Sequence, residues 1–402
     1  MSLLISCDRY HITDNGTITI PIKSADTDTL GPEANKPWVT VNDEIASNPG
    51  SRYDREENIE DIMRVNAAFA HTDDIYLTSP MDLPNGMTPR HATHYRYDSA
   101  TDTIVTRPLN DPTTAIDPHA RVIGPLGTYY SAVIADLFSN PDKYAFKDHL
   151  ADFFCRETIV VNTESMNDTD IDKLAYMVEN NHQLFVKDAL SKGPTGVINT
   201  TKLHQTMLSI DFNAETYEDM LAHAITSDLN FESWAWGLPR YLFIQEVIPM
   251  QYETRFFYVD GRLISASGRI IDLVPSYQGL SDPFYCADYA VKNASHSHDG
   301  QVPERNPHYR EMYDLAQQIN AAWSQNENHA TTCTVDIAWD AAHESAVLVE
   351  FNSISNSGLY GANVHAIYAA LLDTTNGYQG LTYADMRDTF KEFYTYNYTK
   401  AV

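Results

Sequence analysis

Cysteine is scarce in this chain: Cys7, Cys155, Cys286 and Cys333 are scattered over 402 residues and form no CxxC pair. That excludes a disulfide framework, and free thiols in a reducing compartment, the cytoplasm, are the simplest account. Basic residues are also few. Lys and Arg number 27 against 55 Asp and Glu, a net charge of −28. Such an excess disfavours a nucleic-acid backbone or an anionic membrane as the main partner. It leaves room for a small anionic ligand in a local basic pocket, and its plainest meaning is solubility. No apolar run approaches the length of a membrane span. The start, MSLLISCDRYHITDNG, lacks the basic region and long apolar core of a signal peptide. Internal repeats, low-complexity tracts, a P-loop and an HExxH motif are all missing. Of 15 histidines, the close pair His296 and His298 lies in a long loop and reads as solvated rather than as a zinc site.

What is present is an ordinary globular composition, 43% hydrophobic and 11% aromatic. The length exceeds what one core usually serves, so two or three domains are expected. Residues 1–130 read as a small α/β domain, with strands at 17–22, 38–41, 74–77 and 103–106 and a helix at 59–70. Helices are expected at 132–138, 142–154 and 170–179, and strands at 158–162 and 183–187. Good strand patterns follow at 240–247, 253–259 and 262–270, with Asp260-Gly261 as a two-residue hairpin turn. Residues 271–306 hold Pro, Gly, Ser and His without clear periodicity and read as a lid, a substrate loop or disorder. Met312, Leu315, Ile319 and Trp323 form the core stripe of a helix at 309–323. Further helices are expected at 362–372 and 383–394.

The most informative stretch is TTCTVDIAWDAAHESAVLVEFNSISNSGLYG, residues 331–361. Side chains alternate faces along a strand. Thr334, Asp336 and Ala338 therefore share one face of the first strand, and Leu348, Glu350 and Asn352 one face of the second, with residues 340–344 as the turn. Two carboxylates and an amide suit Mg²⁺, or Mn²⁺ with the same donors, because such a cation arrives with waters and phosphates in its shell. An amphipathic hairpin with a solvated acidic face is the alternative.

Two more segments bear chemistry. In LFVKDALSKGPTGVINT, Lys187 ends an apolar strand and precedes a loop with Lys192, Gly193 and Gly196. A lysine there suits an α- or β-phosphate, and glycine lets backbone N–H groups approach phosphate oxygens. A surface loop with two lysines is the plain alternative. In YLFIQEVIPMQYETRFFYVDGRLISASGRI, Glu253, Arg255 and Phe257 share a face. A strand-borne arginine is suited to clamping a transferring phosphoryl group. Strict pairing around Asp260-Gly261 sets Arg255 opposite Ala266 and turns Arg269 to the other face, unless a bulge at Gly268 brings it round. For both arginines a salt bridge to a carboxylate is the alternative.

Taken in order, a lysine strand with a glycine-containing loop, an IQEVI segment, ExR on a hairpin and D…ExN on a later hairpin resemble the ATP-grasp superfamily. The NSGLYG tail is similar to that of its RimK-like branch and a related clade. The resemblance spans roughly residues 132–370. It implies an α+β ATP-grasp fold with subdomains at 131–247 and 248–402 holding ATP between them, preceded by a pre-ATP-grasp-like domain at 1–130. Lys187 would contact the α- and β-phosphates, and Lys147 or Lys143 would be a second phosphate lysine. Gln245, Glu246 and Val247 would be the adenine hinge, Glu253 the acid on the ribose hydroxyls, and the loop holding Lys192 the cover over the phosphates. Arg255, with Arg269 as a second candidate, would hold the γ-phosphate and an acyl-phosphate. Asp336, Glu350 and Asn352 would be the metal ligands. The implied reaction joins a small-molecule or peptide carboxylate to an amine, with ATP and Mg²⁺. A phosphotransferase acting on a hydroxyl is an alternative. So is a nucleotide-binding module without catalysis, against which a full metal set argues. Asn356, Ser357 and Tyr360 are either substrate contacts or a cap for the next helix.

Overall fold

A computed structural model describes residues 2–6, 11–12, 18–20, 39–41, 63–72, 74–78, 92–98, 100–101, 103–109, 111–123, 148–162, 168–181, 183–188, 195–201, 241–269, 282–293, 302–326, 330–352, 354, 357–373 and 382–384. The chain is α+β and divides into two compact units, residues 1–136 with 250–402, and residues 137–249.

The larger unit contains two substantial sheets. One is ordered β7 (Thr103–Pro108), β6 (Thr93–Asp98), β5 (Asp74–Thr78), β1 (Leu3–Ser6) and β8 (Arg121–Ile123). Its centre is β1, parallel to both neighbours, and Leu3, Leu4 and Ile5 are fully buried there. A strand covered on both faces reads as a continuous apolar run, which is what LLI is. A small sheet joins β2 (His11–Ile12), β3 (Ile18–Ile20) and β4 (Val39–Val41).

The other large sheet is antiparallel and ordered β14 (Arg262–Gly268), β13 (Met250–Val259), β17 (Cys333–Asp340) and β18 (Ser345–Asn352). Asp260 and Gly261, both at positive φ, turn β13 into β14, as the Asp-Gly pair predicts. One face packs on the helix Tyr309–Asn326, whose buried residues are Met312, Ala316, Ile319 and Trp323. Leu315, expected in that stripe, is only half-buried, and the small Ala316 takes its place where the helix lies close to the sheet. Trp323 packs on Phe351 with ring centroids 5.4 Å apart, and Phe256 stacks on Tyr309. Each such large side chain contributes about 1.5–3 kcal/mol by leaving water.

The opposite face is divided. Phe257 and Val259 join Leu3, Ile75, Tyr95, the helix at 63–71 and the helix Val364–Leu372 in one core. That last helix begins at Asn363, whose side chain accepts from the N–H of Ala366. The remaining part of this face is polar. Between 271 and 306, the described residues include a small hairpin, β15 (Tyr289–Ala290) with β16 (Glu304–Arg305), so the stretch is not uniformly loop. Gly268 lies against this hairpin: a Cβ there would sit 1.9 Å from the carbonyl oxygen of Tyr289.

In the smaller unit the sheet is antiparallel, ordered β11 (Thr195–Asn199), β10 (Gln183–Asp188), β12 (Tyr241–Glu246) and β9 (Thr158–Asn162). Leu174 and Met177 of the helix Asp168–Asn180 pack with Leu184, Val186, Ile198, Leu242 and Ile244. The described end of the expected 142–154 helix is the tighter 3₁₀ form, Asp148–Phe154. The helix expected at 132–138, most of that at 383–394, and His296 with His298 lie outside the described residues.

Candidate functional site

Register brings the charged residues together. Arg255 on β13 lies opposite Asp336 on β17, Asp336 opposite Glu350 on β18, and Thr334 opposite Asn352. Two of the sheet's three register irregularities, the third lying in β13 between Gln251 and Thr254, correct the simple alternation. The first is in β14, where Tyr258 pairs with Leu263 but Phe257 with Ser265. Ile264 is therefore the extra residue, and the bulge is there rather than at Gly268. Arg255 consequently faces Ser267, not Ala266, and Arg269 comes opposite Glu253, whose carbonyl oxygen accepts its N–H at 2.7 Å. A one-residue slip exchanges faces for everything beyond it, and this one puts Arg269 on the side of Glu253 and Arg255. The second is in β18, where Asp336 pairs with Glu350 but Ile337 with Leu348. Val349 is extra, so Leu348 sits with Ile337 on the apolar side instead of sharing a face with Glu350.

Arg255 holds Asp336 with both arms of its fork, Nε to Oδ1 at 2.7 Å and Nη2 to Oδ2 at 2.6 Å. Its Nη1 donates to the carbonyl oxygen of Gly358 at 3.0 Å, and the Tyr360 ring covers the guanidinium at 4.7 Å. Charge-assisted bidentate pairs of this kind are the strong ones. Both partners are buried, Arg255 at 5% exposure and Asp336 at 0%, so the polar face is closed at this point rather than open to a cleft. Beside them Arg269 donates Nη1 to Glu253 Oε2 at 2.8 Å. Glu253, expected on a ribose, has this carboxylate oxygen turned to an arginine within the charged cluster. Asn352 Nδ2 donates to Glu350 Oε1 at 2.7 Å and to Asp336 Oδ2 at 3.3 Å. Five ionisable side chains thus lie together on this face, Arg269, Glu253, Arg255, Asp336 and Glu350.

Burial pushes the Asp336 carboxyl up to about 6, with Glu350 and Glu253 adding to the rise while Arg255 pulls it back. Burial also disfavours the charge of Arg255, but Asp336 more than offsets this and keeps the guanidinium protonated beyond its ordinary range. Glu253 does the same for Arg269, against its burial. Burial raises the Tyr360 phenol well above its usual range, so it stays a neutral hydroxyl.

A hard divalent cation suits this donor set. Among the described residues no group of three or more His, Cys, Asp or Glu forms a metal cluster. What occurs is two carboxylates bridged by an amide. One or two carboxylates are what Mg²⁺ takes from protein when phosphates and waters complete its shell. The amide of Asn352 lies within hydrogen-bond reach of both carboxylates, and a half-turn about its terminal bond offers oxygen instead of nitrogen.

The other expected site residues belong to the smaller unit. Lys187 is at the end of β10, half-buried, with Nζ 4.9 Å from the ring centre of Phe243, its partner on β12. Gln245 is buried, its side chain bonded to Arg156 and Thr158. The N–H of Glu246 donates to the Glu157 carbonyl, and Val247 is half-buried just past the strand. Lys143, Lys147, Lys192 and Asn356 lie outside the described residues. Sequence reasoning missed Arg64, which is buried in the helix at 63–71 and donates to the carbonyl oxygen of Ser357 at 3.2 Å. The Ser357 hydroxyl in turn meets that of Thr334 at 2.8 Å. Nothing local marks Arg64; only its single charge in an otherwise apolar helix face could have drawn notice.

No protein-family model matches the sequence, and no curated protein is similar to it. Several solved structures have some likeness. A D-cycloserine synthetase is 10% identical, with 92% of this chain and 98% of that chain covered and a TM-score of 0.39. The D-alanine–D-alanine ligase from Bacillus anthracis complexed with ATP is 14% identical, with 85% and 96% covered and a TM-score of 0.34. A RimK-domain ATP-grasp protein from Sphaerobacter thermophilus is 15% identical, with 77% and 93% covered and a TM-score of 0.37. TM-scores this low carry no argument, so the functional reading rests on the residues themselves.

Proposed function

We propose that this chain is an ATP- and Mg²⁺-dependent ligase of the ATP-grasp type, joining a carboxylate to an amine through an acyl-phosphate. The observation that supports it is the convergence of Asp336, Glu350 and Asn352 with Arg255 and Arg269 on one sheet face. The motif order in the sequence supplies the rest of the reading. On it, a substrate carboxylate attacks the γ-phosphate of ATP, ADP leaves, and the amine displaces phosphate from the acyl-phosphate. Such chemistry asks the protein for position and charge, not for a covalent partner. Asp336, Glu350 and Asn352 would hold Mg²⁺, which neutralises phosphate oxygens when bound. Arg269, nearly a third exposed beside buried Glu253, is the better placed of the two arginines for a phosphoryl oxygen. Glu253 orients it. Lys187 is assigned to the α- and β-phosphates and the 245–247 segment to adenine, both from the sequence motif.

The test is a phosphate-release screen with ATP and Mg²⁺ over pooled amino acids, peptides and small acids, read by intact mass. Phosphate with a product one water lighter than its two precursors is expected. Transfer of phosphate to an acceptor without release would replace ligation by kinase chemistry, and nucleotide binding with no turnover across the pools would leave only a binding module. Glu350→Gln should abolish turnover while keeping the fold; normal activity in that variant would refute the cation assignment.

A further inference from the structure

We propose that Arg255 is the resident counter-ion of the cation site: arginine and divalent cation compete for the carboxylate of Asp336, so the cation binds only by displacing the arginine fork. This rests on the cation reading above and adds a step to it. Both oxygens of Asp336 are engaged by Arg255, at 2.6 and 2.7 Å, and Asn352 adds a third contact at 3.3 Å. Neither partner has water as an alternative, since both are buried. Oδ2 already accepts from both Arg255 and Asn352, so a cation bonding there must displace one of them, and a divalent charge set against the buried carboxylate is repelled by the adjoining guanidinium at close range.

The surroundings offer the arginine somewhere to go. Its Nη1 is already bonded to the Gly358 carbonyl, and the Tyr360 ring lies over its face. Both belong to the turn after β18. An arginine released from Asp336 keeps these two contacts and gains two free N–H groups on the side where phosphate oxygens accompany the cation. In this scheme Arg255 reaches a phosphate only after the cation has arrived, which orders the two events. The pairing also spares the cation-free protein an uncompensated buried carboxylate.

Mn²⁺ serves as the probe, followed by electron paramagnetic resonance at pH 8 without nucleotide. Arg255→Met should bind Mn²⁺ at least about tenfold more tightly than the unaltered chain, because the competing charge is gone. Arg255→Lys, which keeps a charge but has no fork, should fall between them. Circular dichroism checks that each variant is folded. Should Arg255→Met not fold, the unaltered chain still decides the matter. The Arg255 Nε–H resonance, assigned by its disappearance in Arg255→Lys, should move and exchange faster with solvent as Mg²⁺ is added. Equal or weaker Mn²⁺ binding by folded Arg255→Met, or an unmoved Nε–H resonance at Mg²⁺ saturation, overturns the competition. Absence of Mn²⁺ binding by every form, with and without a non-hydrolysable ATP analogue, removes the cation site itself and the proposal with it.

Discussion

Replacing Asp336 with alanine should unfold the larger unit more easily by about 3–5 kcal/mol, the cost of leaving a buried charge without its partner. The size follows from the burial of both groups. Arg255 is only 5% exposed, and the substitution removes two of its three hydrogen bonds, the contact to Gly358 remaining. In Tm this is a fall on the order of 10 °C for a unit of this size. Differential scanning calorimetry without nucleotide or cation is the assay, with urea titration as a check. The double variant Arg255→Met/Asp336→Leu should recover most of the loss, since apolar side chains of similar volume can replace a buried pair at little cost. A loss below about 1 kcal/mol in Asp336→Ala would be the behaviour of an exposed pair and would refute the reasoning. So would a double variant no more stable than the single one.

Three further outcomes are expected. Glu350→Gln should change unfolding stability by no more than about 1 kcal/mol, because Glu350 is half-buried and glutamine can still accept from Asn352, yet should weaken Mn²⁺ binding measurably; unchanged binding would count against its role as a ligand. Asp336 keeps its proton to about pH 6 in the folded chain against 3.8 ordinarily, so the folded state holds more protons between those values. Its contribution to stability is therefore full below pH 3.8 and lost as pH rises through 6, at up to about 1.4 kcal/mol per unit, while Mn²⁺ affinity rises over the same window; denaturation in the Asp336→Asn background should lack this component. Gly268→Ala should lower Tm by a few degrees or more, since its Cβ would sit 1.9 Å from the Tyr289 carbonyl oxygen and the β15–β16 hairpin would have to move; an unchanged Tm would mean the hairpin does not hold that position in solution.

Much of the larger unit's second sheet was readable along the chain, because its signals are local. Asp260-Gly261 needs only two residues at positive φ to make a hairpin, and the alternation around Asp336 and Glu350 needs only a period of two. The strand Leu3–Ser6 went unread even though its apolar run is plain, because a buried parallel strand shows no alternation and its partners lie far off in sequence. Side-chain direction was the weaker inference. Bulges at Ile264 and Val349 each insert a residue with no mark of its own, and each reverses the faces beyond it.

Local chemistry was thus written in the chain: which residues carry oxygen donors and fixed positive charge, and which short runs become strands or turns. Their partnership was not. That Arg255 closes on Asp336, Arg269 on Glu253 and Arg64 on the turn at Ser357 depends on contacts 81, 16 and 293 residues apart in sequence. Pairings of that kind are selected by sheet register and by which groups burial leaves without water, and both exist only once the chain has folded.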